Sequence, residues 1–317
     1  MLSRVADALF WMSRYLERAE CVARLLDVCF HLELDLHGVM AGPHELHWTA
    51  LVAVLQQVIA RNRNGLSPQA TISHWLTFDP DNPTSIMSCV TRARSNARSV
   101  RGTISSEMWK ELNKLYWQLR NQEFVSRTRE SPHEFYAAVE CGSHMIQGVC
   151  DATLTHDEGW QFIQLGKFLE RADKTLRILD IQYHLLHELI DPVDLPLTNL
   201  EWAGVLRSCR AYDAYQRLYV GRVEPEHVVE FLLLHPSFPR SVRFSLEAAA
   251  AALSEIEGVV PGRPVSEADR TLGRVLNDLK FGELDQILRG DLHAFLDGLQ
   301  ARCALVSRAV QNQYSLH

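Results

Sequence analysis

No apolar run in this 317-residue chain approaches the roughly 18 residues that a membrane-crossing helix requires, so no membrane span is expected. There is no CxxC pair either. The seven cysteines, at 21, 29, 89, 141, 150, 209 and 303, are odd in number and scattered, which argues against a disulfide framework or a structural zinc site and fits reduced thiols. No segment alternates apolar and polar residues for long enough to make a strand. The phosphate loops GxGxxG and GxxxxGKS/T, the GxSxG elbow and any cysteine–histidine nucleophile arrangement are also missing. A net charge of −7 gives no expectation of binding to nucleic acid or to an anionic membrane. The opening stretch MLSRVADALFWMSRYLER is charged throughout and has no uninterrupted apolar core, so it does not read as a signal peptide and the expected location is the cytoplasm.

What the chain does have is helical periodicity. Its 47% hydrophobic content is enough for a substantial core. Val5, Leu9, Met12, Leu16, Ala19, Ala23, Leu26 and Phe30 follow a 4-3 spacing, the seam of one long amphipathic helix. Phe162, Leu165, Leu169, Ala172, Leu176, Leu179 and Tyr183 repeat it, and RYLERAE (14–20) returns as KFLERAD (167–173). The correspondence continues through Trp48 and Trp202, and through WLTFDPDNPTSI (75–86) and FLLLHPSFPRSV (231–242), to Ser106-Glu107 and Ser266-Glu267. The offset drifts only from 153 to 160. The expected fold is therefore all-α, a helical bundle of about twelve helices. It is built by internal duplication of a six-helix unit about a pseudo-twofold axis, with repeats at 1–152 and 153–317 forming one continuous bundle.

On the same heptad, Glu17, Arg24 and His31 fall on one stripe of the first long helix, and Glu170, Arg177 and His184 on that of the second. Arg18 and Arg171 stand in neighbouring, largely apolar columns. A covered arginine needs a carboxylate, because a buried unpaired charge costs several kcal/mol. A pseudo-twofold axis would let Glu17 meet Arg171 and Glu170 meet Arg18. The motif then has two readings: structural ion pairs that fix helix register, or a ligand-facing site.

The N-terminal MLSRVADALFWMSRYLERAECVARLLDV and the stretch TFDPDNPTSIMSCVTRARSNARSVRGTISSEMWKELN together resemble the bacterial alpha-E family, a helical domain named for its Glu-Arg motif. The resemblance covers essentially the whole chain and transfers no catalytic residue. It implies a context: proteins of this family are typically encoded beside circularly permuted ATP-grasp ligases and transglutaminase-like proteins. The implied function is a helical partner of such an amide ligase in peptide synthesis or modification, presenting substrate or completing the ligase site. Two other readings stand beside it, an enzyme in its own right for acyl or aminoacyl transfer and a ligand-free assembly scaffold. Self-association is left open, and no cofactor is implied.

One further cluster comes from the residues alone. Arg94, Arg98 and Arg101 lie on one stripe of the helix after Pro83, with Arg92 and Asn96 nearby, and like charges at this spacing repel. At an offset of 156 the second copy has Ala250, Ser254 and Glu257, so the shared fold does not require the stripe. Three readings follow: a surface binding an anion or a partner, internal salt bridges to Glu107 or Glu111, or a solvated face. No metal is expected. His31, His37, His44 and His47 crowd together and His184 and His187 form an HxxH, but no HExxH or marked third ligand accompanies them. Asp79-Pro-Asp81 and Asp191 to Asp194 read as turns.

Overall fold

The computed structural model describes residues 1–36, 68–127, 131–189, 195–258, 265–282 and 291–315. Thirteen helices run through them, with no strand among the described residues. His37, His44, His47, Trp48 and Asp191 to Asp194 lie outside that set, as do the side chains of His184 and His187. The chain divides into two compact units. Of the described residues, the first takes those up to Lys167 together with Tyr314 and Ser315, and the second takes Phe168–Gln313.

In the first unit α1 (Ser3–Leu36) packs against α2 (Pro68–Thr77), α3 (Ile86–Ser99) and α6 (Pro132–Thr153). α4 (Ser106–Arg120) and the short α5 (Gln122–Arg127) complete it. With no glycine or proline across 34 residues, α1 runs unbroken for roughly 50 Å. From Leu16 to Val28 every residue except the half-buried Arg18 is buried, so the helix is enclosed on all sides rather than along one stripe. The 4-3 seam from Leu9 to Leu26 is at most 3% exposed.

α7 (Glu158–Leu189) is the second long helix. Gly166 on it touches α1: a Cβ built there would sit 2.4 Å from the Phe10 carbonyl oxygen. The second unit adds α8 (Leu195–Ser208), α9 (Tyr212–Leu218), α10 (Pro225–Leu234), α11 (Val242–Glu257), α12 (Glu267–Phe281) and α13 (Leu292–Tyr314).

Serine caps open the helices that follow the proline loops. Ser85 and Ser241, both in extended backbone, accept from the amides of Ser88 and Phe244 at 3.2 and 3.1 Å. Before Ser85, the Asp79 carboxylate accepts from the Asp81 amide at 2.9 Å, an Asx turn. α11 closes on Gly258 in the left-handed region at φ 64°, which a Cβ would disfavour.

Burial within each unit follows the offsets read from the sequence. α3 buries Ile86, Cys89, Val90 and Ala93, and 156 residues on α11 buries Val242, Ser245, Leu246 and Ala249. α6 buries Tyr136, Val139, Glu140 and Ile146, and 160 residues on α13 buries Leu296, Leu299, Gln300 and Val306. In these two pairs of helices the buried positions recur at the offsets read from the sequence. One detail differs. The serine that caps α4 is Ser105, while Ser106 bonds Glu107; the cap corresponding to Ser266 is thus displaced by one residue.

Six of the seven cysteines are wholly or partly covered and Cys141 is exposed. Burial pushes the thiols of Cys150 and Cys303 up to about 12.

Candidate functional site

The long helices carry charge in places that ought to be dry. In α1, Glu17, Glu20, Arg24 and Asp27 are all at most 6% exposed. Arg24 Nη1 lies 3.3 Å from Glu20 Oε1, one turn earlier, and His144 Nε2 of α6 lies 3.6 Å from the same oxygen. Gln147 of α6 donates to Glu17 at 3.2 Å. In α7 the corresponding pair is Arg177 and Asp173, with Nη2 2.8 Å from Oδ1. Lys174 adds a second cation, 3.2 Å from Asp173 and 3.7 Å from Glu170. Burial works to raise the Asp173 carboxyl, but Lys174 and the Arg177 guanidinium outweigh it and hold the group below its ordinary value. Arg171 is buried, donates to the Pro239 carbonyl at 3.3 Å and lies over the Phe168 ring. Arg18 is half-buried over Tyr15.

At the far end of each seam an aspartate meets a histidine. Asp27 Oδ1 is 2.6 Å from His133 Nδ1 in the first unit, and Asp180 Oδ1 is 2.6 Å from His293 Nδ1 in the second. The hydrogen bond and the charge of Asp180 together hold His293 above its ordinary value. A raised folded-state value means that its contribution to stability is full below about pH 6.5 and is lost as pH rises through the folded value. Stability measured by urea unfolding should therefore fall as pH rises above about 6.5, and His293→Asn should flatten that slope. An unchanged slope in the variant would discard the assignment.

Next to Pro132, the neighbour of His133, an open pocket of about 220 Å³ is lined by His74, Phe78, Phe135 and Tyr136 among others. Phe78 meets Phe135 edge to face at 5.2 Å. Burial pushes the Tyr136 phenol up to about 12, and its oxygen is 3.4 Å from Thr77 Oγ1.

Arg94 on α3 and Arg101, in the turn just beyond its end, face aromatics and not acids. Arg94 Nε donates to Asn113 Oδ1 at 2.6 Å, and its guanidinium lies 4.4 Å from the Tyr116 ring centre and 5.6 Å from those of Trp109 and Trp117. Arg101 lies over Trp109 at 5.4 Å, and Arg98 is exposed. Asn96 is half-buried, its carbonyl accepting from Ser99 and Val100. No ion pair joins the stripe to Glu107 or Glu111 among the described residues, since Glu111 pairs with Lys114 and Glu107 with Ser106. The salt-bridge reading is corrected accordingly. Rings of α4 occupy the space, and attraction between guanidinium and ring face offsets the like-charge repulsion. Ala250, Ser254 and Glu257 are half-buried in α11, and Glu257 accepts from Gln313.

A family model described as a predicted alpha-helical domain with a conserved ER motif matches residues 1–314. The chain belongs to the Alpha-E family. Relatives include an uncharacterized protein of Mycobacterium bovis and two of Mycobacterium tuberculosis. Each is 26% identical over 326 residues, covering 94% of this chain and 35% of the relative. The chain thus spans about a third of the length of these curated relatives. No solved structure matches it.

Within the ER motif of this Alpha-E chain, sequence reasoning passed over the acid that closes each copy. Glu20 ends RYLERAE and Asp173 ends KFLERAD, and each stands four residues before the arginine it pairs with. The Asp–His pairs were missed as well, because their members lie 106 and 113 residues apart. The signal was nevertheless present: Asp27 and Asp180 are 153 apart and His133 and His293 are 160 apart, both offsets of the repeat.

Proposed function

We propose that this Alpha-E chain is a helical partner of an ATP-grasp-type amide ligase in peptide synthesis or modification, presenting substrate or completing the ligase site. The length of the relatives carries the reading. In each of them the matched region is joined to a much larger remainder, which suits a module that works attached to something else. The composition of the α3–α4 face adds to it. Arg94 lies over Trp109 and Trp117, Arg101 lies over Trp109, Arg98 is exposed on the same helix as Arg94, and Trp117 is 60% exposed. Arginine and tryptophan are the residues enriched at the energetic centres of interfaces. A transglutaminase-like protein is a second proposed partner, and a cytoplasmic setting belongs to the same reading.

Among the described residues no helix is long and apolar enough to cross a membrane. The buried seams support a structural role for Glu17, Arg24, Glu170 and Arg177, leaving the α3–α4 face for contact. The test is to co-express the chain with an ATP-grasp-type ligase from the same cell and measure association by analytical ultracentrifugation. Trp117→Ala should weaken a complex at least tenfold, about 1.4 kcal/mol or more, with the melting temperature unchanged. Arg98→Lys should weaken it too, because an ammonium cannot reproduce the planar fork. Absence of any complex would refute the reading. A complex indifferent to both changes would move the interface elsewhere.

A further inference from the structure

Asp27, His31 and His133 each bring one ligand atom within 4.8 Å of the other two. Asp27 and His31 stand one turn apart on α1, and His133 reaches in from the start of α6. The carboxylate is buried while both imidazoles open to solvent, with side chains 53% and 59% exposed, so the cluster is anchored on one side and accessible on the other. One carboxylate oxygen faces both rings, 2.6 Å from His133 Nδ1 and 3.6 Å from His31 Nδ1, and the rings meet edge to face at 5.3 Å.

We propose that Asp27, His31 and His133 bind a divalent transition-metal cation of the zinc class, leaving one position open to water or to a ligand. Two imidazoles and one carboxylate are a donor set for borderline ions, and three protein ligands are what an open zinc site keeps. Bonds of about 2.0–2.2 Å need donors drawn within roughly 4 Å of one another. Rotation of two half-exposed imidazoles supplies that closure without moving a helix. His31 Nδ1 also sits 2.8 Å from the Asp27 carbonyl oxygen, so a ring that ligates through this nitrogen gives up that hydrogen bond on binding. His133 lies in sequence between Pro132 and Phe135, which both line the neighbouring pocket, so the ion would sit close to a recess open to solvent.

The second unit supplies an internal comparison. Its Asp180 and His293 keep the 2.6 Å pair, and His184 holds the sequence position four residues after Asp180. The arginine stripe did not persist between the halves, whereas these residue types did. In the second unit, however, Gln300 Nε2 occupies the other Asp180 oxygen at 2.9 Å, where the first unit has Glu140 at the corresponding offset. The proposal is therefore confined to the first unit.

The experiment is calorimetric titration of the full, chelator-treated chain with zinc near neutral pH, with the melting temperature followed in parallel. Saturable binding with Kd on the order of micromolar or tighter is expected, together with a rise in melting temperature. His31→Ala and His133→Ala should each weaken binding at least about tenfold, and His144→Ala, on the same α6, should leave it unchanged. Alanine at 133 also removes the partner of Asp27, so His133→Cys provides the second arm. A thiolate ligates zinc but does not replace the imidazole hydrogen bond, and zinc binding should be retained. No saturable binding, binding indifferent to His31→Ala and His133→Ala, or loss of binding in a folded His133→Cys chain would overturn the site and leave a structural ion pair.

Discussion

Arg24→Ala should lower the free energy of unfolding by about 3–5 kcal/mol, the usual consequence of removing one partner from a buried ion pair. The arginine and Glu20 have side chains only 3% and 0% exposed. Glu17, Glu20 and Asp27 are three buried acids on one helix, and Arg24 is the cation set among them. At the offset of Lys174 the first unit has Cys21, which carries no charge to share with the acids of its seam. Chemical denaturation of both chains gives the difference directly. Arg24→Met combined with Glu20→Gln should recover most of the loss, since an uncharged pair of similar volume avoids desolvating two ions. A loss below about 1 kcal/mol for the single variant would show that Glu20 does not depend on this guanidinium.

Gly166→Ala is the second large effect, and its sign is the informative part. Glycine to alanine inside a helix ordinarily stabilises by roughly 0.5–1 kcal/mol. Here the new Cβ would lie 2.4 Å from both the Phe10 carbonyl oxygen and Ser13 Oγ. The serine hydroxyl can turn away, but the other atom is a backbone oxygen of α1, so relieving the clash requires one helix to move away from the other. Overpacking of this kind costs about 1–3 kcal/mol and here should exceed the propensity gain. Gly148 in α6 is the control: nothing lies within 4 Å of its added Cβ, so Gly148→Ala should be neutral or stabilising. Equal behaviour of the two variants would mean that α7 does not approach α1 through Gly166.

The helices were legible because period and punctuation agree. The 4-3 seams of Leu9 to Leu26 and of Phe162 to Leu179 are buried as read, and the proline loops carry the serine caps that their composition implies. The all-around burial of α1 was not legible from one stripe. A heptad marks the driest face and says nothing of Glu20 or Asp27 on another. Pairing was harder still. The ion pair of Arg24 is local and its spacing was on the page. The partner of Asp27 comes from α6, and only a fold brings residues 27 and 133 together. The partners of Arg94 were not legible for a related reason: they are ring faces and an amide oxygen on another helix, not acids.

The uneven cover of the cysteines gives the molecule its own opening gauge. Cys141 offers an exposed thiol for a fluorophore or spin label, with Cys29 partly covered. Cys89 and Cys150 lie buried in the first unit, and Cys209 and Cys303 in the second. A thiol held near 12 and shielded from solvent reacts with an alkylating reagent only while its surroundings are open. Modification rates at these four positions, resolved by mass spectrometry, therefore clock local unfolding separately in the two halves. A loss of cooperativity between them becomes visible with every native residue in place.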